Sequence, residues 1–111
     1  MSPLNITRED TATGPVVHVA GDLDYAHATA LRQQIDALDL APGQRLVVDL
    51  ADMDFCDSSG ITALLAARQR ALSAGADIAL AAVPENTLRI LAIVGLDQVF
   101  TFHPGADTAA G

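Results

Sequence analysis

Lysine and tryptophan are both absent from this chain of 111 residues, which also carries a single cysteine. All six basic residues are arginines, Arg8, Arg32, Arg45, Arg68, Arg70 and Arg89. Without lysine there is no Walker-type phosphate loop, no Schiff-base chemistry and no kinase strand lysine, because each needs that amine. A phosphoaspartate receiver, which needs a Lys beside its acidic pocket, is set aside on the same ground. Cys56 has no partner for an internal disulfide and no Cys or His nearby, and His18, His27 and His103 are scattered without metal-ligand spacing. No metal and no cofactor is expected. No apolar run approaches the ~18 residues that cross a bilayer. The start, Met1-Ser2-Pro3-Leu4, soon meets Arg8, Glu9 and Asp10 with no apolar signal core. These absences predict a cytoplasmic module that neither spans nor binds a membrane.

Fourteen acidic residues against six basic ones give a net charge of −8, which repels phosphate backbones, so direct nucleic-acid binding is not expected. Half of the residues are apolar but only 4% are aromatic, so the core is built from Ala, Leu, Val and Ile. That is the composition of helix-covered parallel sheets, and the length suits one domain over residues 1–111.

Hydrophobic periodicity predicts the element order. Leu4 to Thr7 and Val16 to Ala20 read as a hairpin around Thr13-Gly14-Pro15, the second strand stopping at Gly21. Ala28, Leu31, Ile35 and Leu38 recur at helical spacing, which predicts a helix from Tyr25 to about Leu38 with Asp24 as its N-cap. Arg45 to Leu50 reads as a central strand buried on both faces. Ser58 to Ser73 reads as a second helix with Ile61, Leu64, Leu65 and Leu72 on one face and Gly75 as its stop. Asp77 to Val83 is a further strand, Pro84 and Glu85 open a third helix closed by Gly95, and Val99 to Phe102 is a last strand. The expected fold is α/β: a mixed, mostly parallel sheet of about five strands with about three helices. The ordered core runs from about residue 4 to 103, and 104–111 form a flexible tail.

Leu50 to Ile61 reads as the loop from the central strand into the second helix, at the sheet end where open α/β folds place their sites. Asp57 can act as the N-cap, with Cys56 and Ile61 at the two positions of a hydrophobic staple. Ser58 then stands at the first helical position, its hydroxyl towards water, beside free amides and the positive end of the helix dipole. A phosphate is tolerated at such a place. Asp22 and Asp24, in Gly21-Asp22-Leu23-Asp24, fall at the same sheet end and can line one acidic face with Asp57.

Asp57-Ser58-Ser59-Gly60 after an apolar strand, paired with Gly21-Asp22-Leu23-Asp24 after an earlier one, resembles the STAS-domain anti-sigma factor antagonists. The likeness covers roughly Leu4 to Phe102 in element order. It implies a non-enzymatic regulator that binds an anti-sigma factor with ATP-dependent serine kinase activity and so releases a sigma factor. It also implies that Ser58 is the phosphoacceptor, that phosphorylation switches binding off and that a PP2C-type phosphatase reverses it. Asp22, Asp24, Asp57 and Ser59 are then the partner-binding residues, and a homodimer is compatible with the family pattern. Two departures stand out: Gly60-Ile61-Thr62 lacks the second Gly of many relatives, and the usual C-terminal helix is expected to be missing.

Three other readings arise, and two of them fail on the residues. A serine hydrolase fails at the nucleophile elbow, because Cys56 stands where Gly-x-Ser-x-Gly around Ser58 needs its first Gly, and no catalytic His can be named. The Asp52, Asp54 and Asp57 series lacks EF-hand spacing and its closing Glu. The serious competitor is a STAS adaptor of a transport system or signalling assembly in which Ser58 is never modified.

Overall fold

In the computed structural model, which describes residues 2–106, the elements follow in the order β1 (Asn5–Thr11), β2 (Gly14–Leu23), α1 (Ala28–Asp36), β3 (Arg45–Cys56), α2 (Ser58–Ser73), β4 (Asp77–Ala81), α3 (Glu85–Ile93) and β5 (Thr101–His103). A 3-10 turn at Leu96–Gln98 precedes β5. The five strands form one sheet in sequential order, β1-β2-β3-β4-β5. Strand β1 is antiparallel to β2, and every later pair is parallel. The expected tail is described only as far as Ala106, and the rest of it, with the expected absence of a final helix, lies outside the described residues.

Sequential order has a direct consequence. Right-handed crossovers that all step the same way along a sheet put their helices on the same face. Accordingly one large core joins Val17, Val19, Leu23, Leu46, Val48 and Leu80 of the sheet to Leu31 and Ile35 of α1, Leu64 and Ala67 of α2 and Leu91 of α3. The opposite face carries a small cluster of Val16, Val47, Ala79 and Ala81, against which Ala106 packs. The buried stripe of α2 is Gly60, Ile61, Ala63, Leu64, Ala67 and Ala71, small enough for close packing on the sheet. Leu72, expected in that stripe, is exposed.

Strand β3 extends six residues past the expected end at Leu50, because two register shifts against β2 lengthen it. His18 pairs with Asp49, Ala20 with Asp52, Gly21 with Met53, Asp22 with Phe55 and Leu23 with Cys56. At each shift β3 advances one residue more than β2, the signature of a bulge. The inward residues then fall at Leu50, Met53 and Cys56, three apart instead of two. That spacing hides the strand from a period-two reading, and it leaves Asp52, Asp54 and Phe55 exposed.

Three other boundaries move for local reasons. Gly21 does not end β2: at φ +90° it lets Pro3 pass so close that a Cβ there would meet the Pro3 carbonyl oxygen at 2.1 Å. Helix α1 begins at Ala28, not Tyr25, because Tyr25 to His27 form a separate turn. Strand β4 stops before Val83 because Ala82 takes a left-handed φ of 53°.

On the sheet face away from the helices, His18 Nδ1 lies 2.7 Å from Asp49 Oδ2 and Nε2 lies 3.4 Å from Glu9 Oε1. Burial pulls the His18 pKa down, but the hydrogen bonds to Asp49 and Glu9 outweigh it and the net shift is upwards from 6.5. A raised folded pKa means that this cluster stabilises the fold fully below pH 6.5, and that the contribution is lost as pH rises through the folded value. Asp49→Asn is therefore expected to lower the pKa of His18, read from its ring resonances in an NMR titration, and to flatten the pH dependence of stability on that limb. An unchanged titration would show that Asp49 does not hold the imidazolium.

Candidate functional site

Because β2 and β3 are parallel, their ends at Leu23 and Cys56 lie side by side, and the segments leaving them meet. The Asp57 amide donates to the Leu23 carbonyl at 3.3 Å. The Asp57 carboxylate then serves two elements at once. Its Oδ1 accepts from the Ser59 and Gly60 amides at 2.8 and 3.1 Å, capping α2. Its Oδ2 accepts from the Tyr25 amide at 3.1 Å, tying down the turn before α1. Asp57 itself is extended, at φ −101° and ψ −170°, as an N-cap is.

Gly60 makes the approach possible. A Cβ there would stand 2.5 Å from the Leu23 carbonyl oxygen and 2.6 Å from Cys56 Sγ, so the first turn of α2 can lie against the end of β2 only without a side chain. The expected staple residues, Cys56 and Ile61, are both buried in the main core. Burial, and secondarily the Asp57 charge, pushes the Cys56 thiol up to about 11, so it stays neutral and behaves as a core residue.

Ser58 is the first residue of α2 and is exposed, and its carbonyl accepts from Thr62 Oγ1 at 3.0 Å. The expectation of free amides beside it needs correction, since Asp57 already occupies those of Ser59 and Gly60. A dianion on Ser58 would meet the helix dipole, but also the adjacent carboxylate, and would project into solvent. Ser59 lies beside it and lines a shallow cleft of about 220 Å³ with Tyr25, Thr29, Arg32 and Thr62.

Asp22 and Asp24 have local structural roles. Asp22 Oδ2 accepts from the Ser2 amide at 3.1 Å, while its own amide donates to the Ser2 carbonyl at 3.0 Å, which fastens the N-terminal segment to β2. Asp24 Oδ1 accepts from the His27 amide at 3.1 Å and lies 2.7 Å from His27 Nδ1. It closes the turn before α1 in place of capping the helix, whose cap position is held by His27 without a side-chain bond.

Sequence reasoning missed two side chains here. Tyr25 is 76% exposed and Phe55 52% exposed, although both are large. Their signal is composition: of four aromatic residues in the chain, these two sit in the segments that carry the paired motifs. Among the described residues no group of three His, Cys, Asp or Glu side chains could hold a metal ion, and no helix is long and apolar enough to cross a membrane.

A mixed sheet with its helices on one face, and an exposed serine in the first turn of the helix leaving the central strand, define a small α/β module. The family model described as "Mlab, STAS domain" matches residues 6–102, and the chain belongs to the STAS-domain family. Among solved structures it resembles an anti-sigma factor antagonist from Mycobacterium paratuberculosis, with 29% identity and a TM-score of 0.80, covering 97% of this chain and 94% of that one. The same fold recurs in a sulfate transporter family protein from Wolinella succinogenes, at 16% identity and TM-score 0.74 over 86% of this chain and 80% of that one. It recurs again in the phosphorylated form of the Bacillus cell fate determinant SpoIIAA, at 17% identity and TM-score 0.71 over 95% and 96%.

Two substitutions test the geometry. Asp57→Ala removes a cap and the Tyr25 tether, and is expected to cost about 2 kcal/mol in urea unfolding, whereas Ser58→Ala stays within about 0.5 kcal/mol. The opposite ranking would make Ser58 the cap. Gly60→Ala places a methyl against backbone and is expected to cost about 1–3 kcal/mol; a neutral result would mean that the first turn of α2 can move away from Leu23.

Proposed function

We propose that this protein is an anti-sigma factor antagonist whose binding to an anti-sigma factor is switched off by phosphorylation of Ser58. The observation that carries the reading is the exposed hydroxyl of Ser58 at the head of a helix whose cap is locked by Asp57 to the neighbouring loop. A kinase can reach that hydroxyl, and adding a phosphate does not require the fold to change. Support also comes from the 29% identical antagonist of Mycobacterium paratuberculosis, aligned over nearly the whole chain. The Bacillus relative exists in a phosphorylated form, so the fold as such accepts the modification.

In this reading the partner is an anti-sigma factor with ATP-dependent serine kinase activity, and a PP2C-type phosphatase restores the active form. The unmodified protein occupies the anti-sigma factor and frees the sigma factor, acting in the cytoplasm by binding and not by catalysis. Asp22, Asp24 and Asp57 shape the contact surface, and Ser59 borders the acceptor. Release follows from desolvation: a dianion buried in the complex without a dedicated cation costs several kcal/mol as a rough effective penalty. The neighbouring Asp57 carboxylate adds to the local negative charge.

The sulfate transporter family relative supports a second reading, an adaptor in which Ser58 stays unmodified. Incubation with the cognate anti-sigma factor and ATP, followed by intact-mass analysis, separates the two. One phosphate gained by the wild type and none by Ser58→Ala is the expected result; no gain favours the adaptor. Ser58→Ala is expected to keep binding, and Ser58→Asp to bind at least tenfold more weakly in calorimetry.

A further inference from the structure

Between the end of β3 and α3 runs a groove of about 340 Å³, floored by Met53, Phe55 and Cys56 and walled by Thr87, Ile90 and Ile93. Ile93 is 77% exposed, and Ile90, Val94 and Phe55 are exposed too, although each is large and apolar. Exposed apolar side chains gathered at one place mark an interaction surface more often than scattered single ones do. Along β3 the groove lining ends at Cys56, two residues before the acceptor. Only Cys56 and Asp57 separate Phe55 from Ser58, a reach of at most about 11 Å. Tyr25, hydrogen-bonded through its amide to Asp57, flanks the acceptor as well. Phe55 and Tyr25, both exposed, thus belong to segments that adjoin Ser58 along the chain or through Asp57, and aromatic anchors of this kind carry a large share of interface energy.

We infer that this groove is the second half of the docking surface for the protein that phosphorylates Ser58, a partner that offers an apolar side chain to the groove and a cation to its rim. The inference rests on the reading of Ser58 given above and extends it to a surface that the paired motifs do not reach. Span favours one partner over both places, since a standard interface covers about 800 Å² per side, a patch roughly 30 Å across. Charge favours a foreign partner over a second copy of this chain. Asp52 and Asp54 are exposed near the groove, and their carboxylates make no ion pair among the described residues. Arg89, the cation on the groove lining, is already 3.5 Å from Glu85, and each copy carries a net charge of −8. Two such faces repel, whereas a basic face is attracted.

The test places the photo-crosslinking residue p-benzoylphenylalanine at position 93 in one version of the full chain and at position 62, one turn past Ser58, in another, both expressed in the native cells. Crosslinks from both positions to one and the same ATP-dependent serine kinase are expected. With that kinase purified, Ile93→Glu is expected to weaken binding at least tenfold while the melting temperature stays that of the wild type, because Ile93 is exposed. Capture of the kinase at 62, with nothing, a different protein or a second copy of this chain at 93, overturns the groove and leaves the reading of Ser58 standing. Unchanged affinity of Ile93→Glu for the kinase also overturns the groove alone. No kinase at position 62 overturns the reading of Ser58, and the groove assignment with it.

Discussion

The two oxygens of Asp57 hold the ends of β2 and β3 and the starts of α1 and α2 together. One caps α2 through the Ser59 and Gly60 amides, and the other fastens the turn before α1 through the Tyr25 amide. A single carboxylate thus sets the direction of Ser58 and the position of the segment that faces it. The bonds are charge-assisted and supported by the Asp57 amide on the Leu23 carbonyl. Gly60 completes the arrangement by removing the atom that would push α2 off the end of β2. The motif Asp57-Ser58-Ser59-Gly60 is in these terms a cap, an exposed hydroxyl, a helix amide and a close contact, each residue type answering a separate physical demand.

What surrounds this point follows from the sheet. Its strand order never reverses among the described residues, so the sheet they form has no switch point of the kind at which open α/β enzymes bind small ligands. The end of the sheet is a surface instead, extended by the bulged last half of β3, which carries Asp52, Asp54 and Phe55 outwards. A surface with an exposed serine, two exposed aromatic side chains and carboxylates that make no ion pair among the described residues is suited to another protein. The local electrostatics have the same sense: Ser58 stands beside a carboxylate, with its neighbours' amides already bound, so a phosphate added there would remain an exposed charge.

Local signals in the sequence served well where the physics is local. The span of α2, its cap at Asp57 and its end before Gly75 were all legible, because capping and helical periodicity involve residues a few positions apart. The adjacency of the two motif loops was also legible, since it follows from parallel strands. The departures have tertiary causes. Asp24 reads as a helix cap but closes a turn with His27, and Gly21 reads as a strand stop but admits the N-terminal segment. Ala51 to Cys56 read as loop because two bulges against β2 changed the period of burial from two to three. Leu72 matched a helical stripe that alanines fill instead.

By itself the sequence determined the class of fold, the order of its elements and the serine at the head of the second helix, because these depend on composition, periodicity and capping chemistry. It also carried the paired motifs that place the chain in its family. Only the tertiary structure decided that Asp57 serves two loops, that Asp22 is bound to Ser2, and that Phe55 and Tyr25 stand exposed. The reason is that hydrogen bonds and exposure are set by what lies across the sheet, 32 residues away in the case of Asp57 and Tyr25, and no local pattern records it.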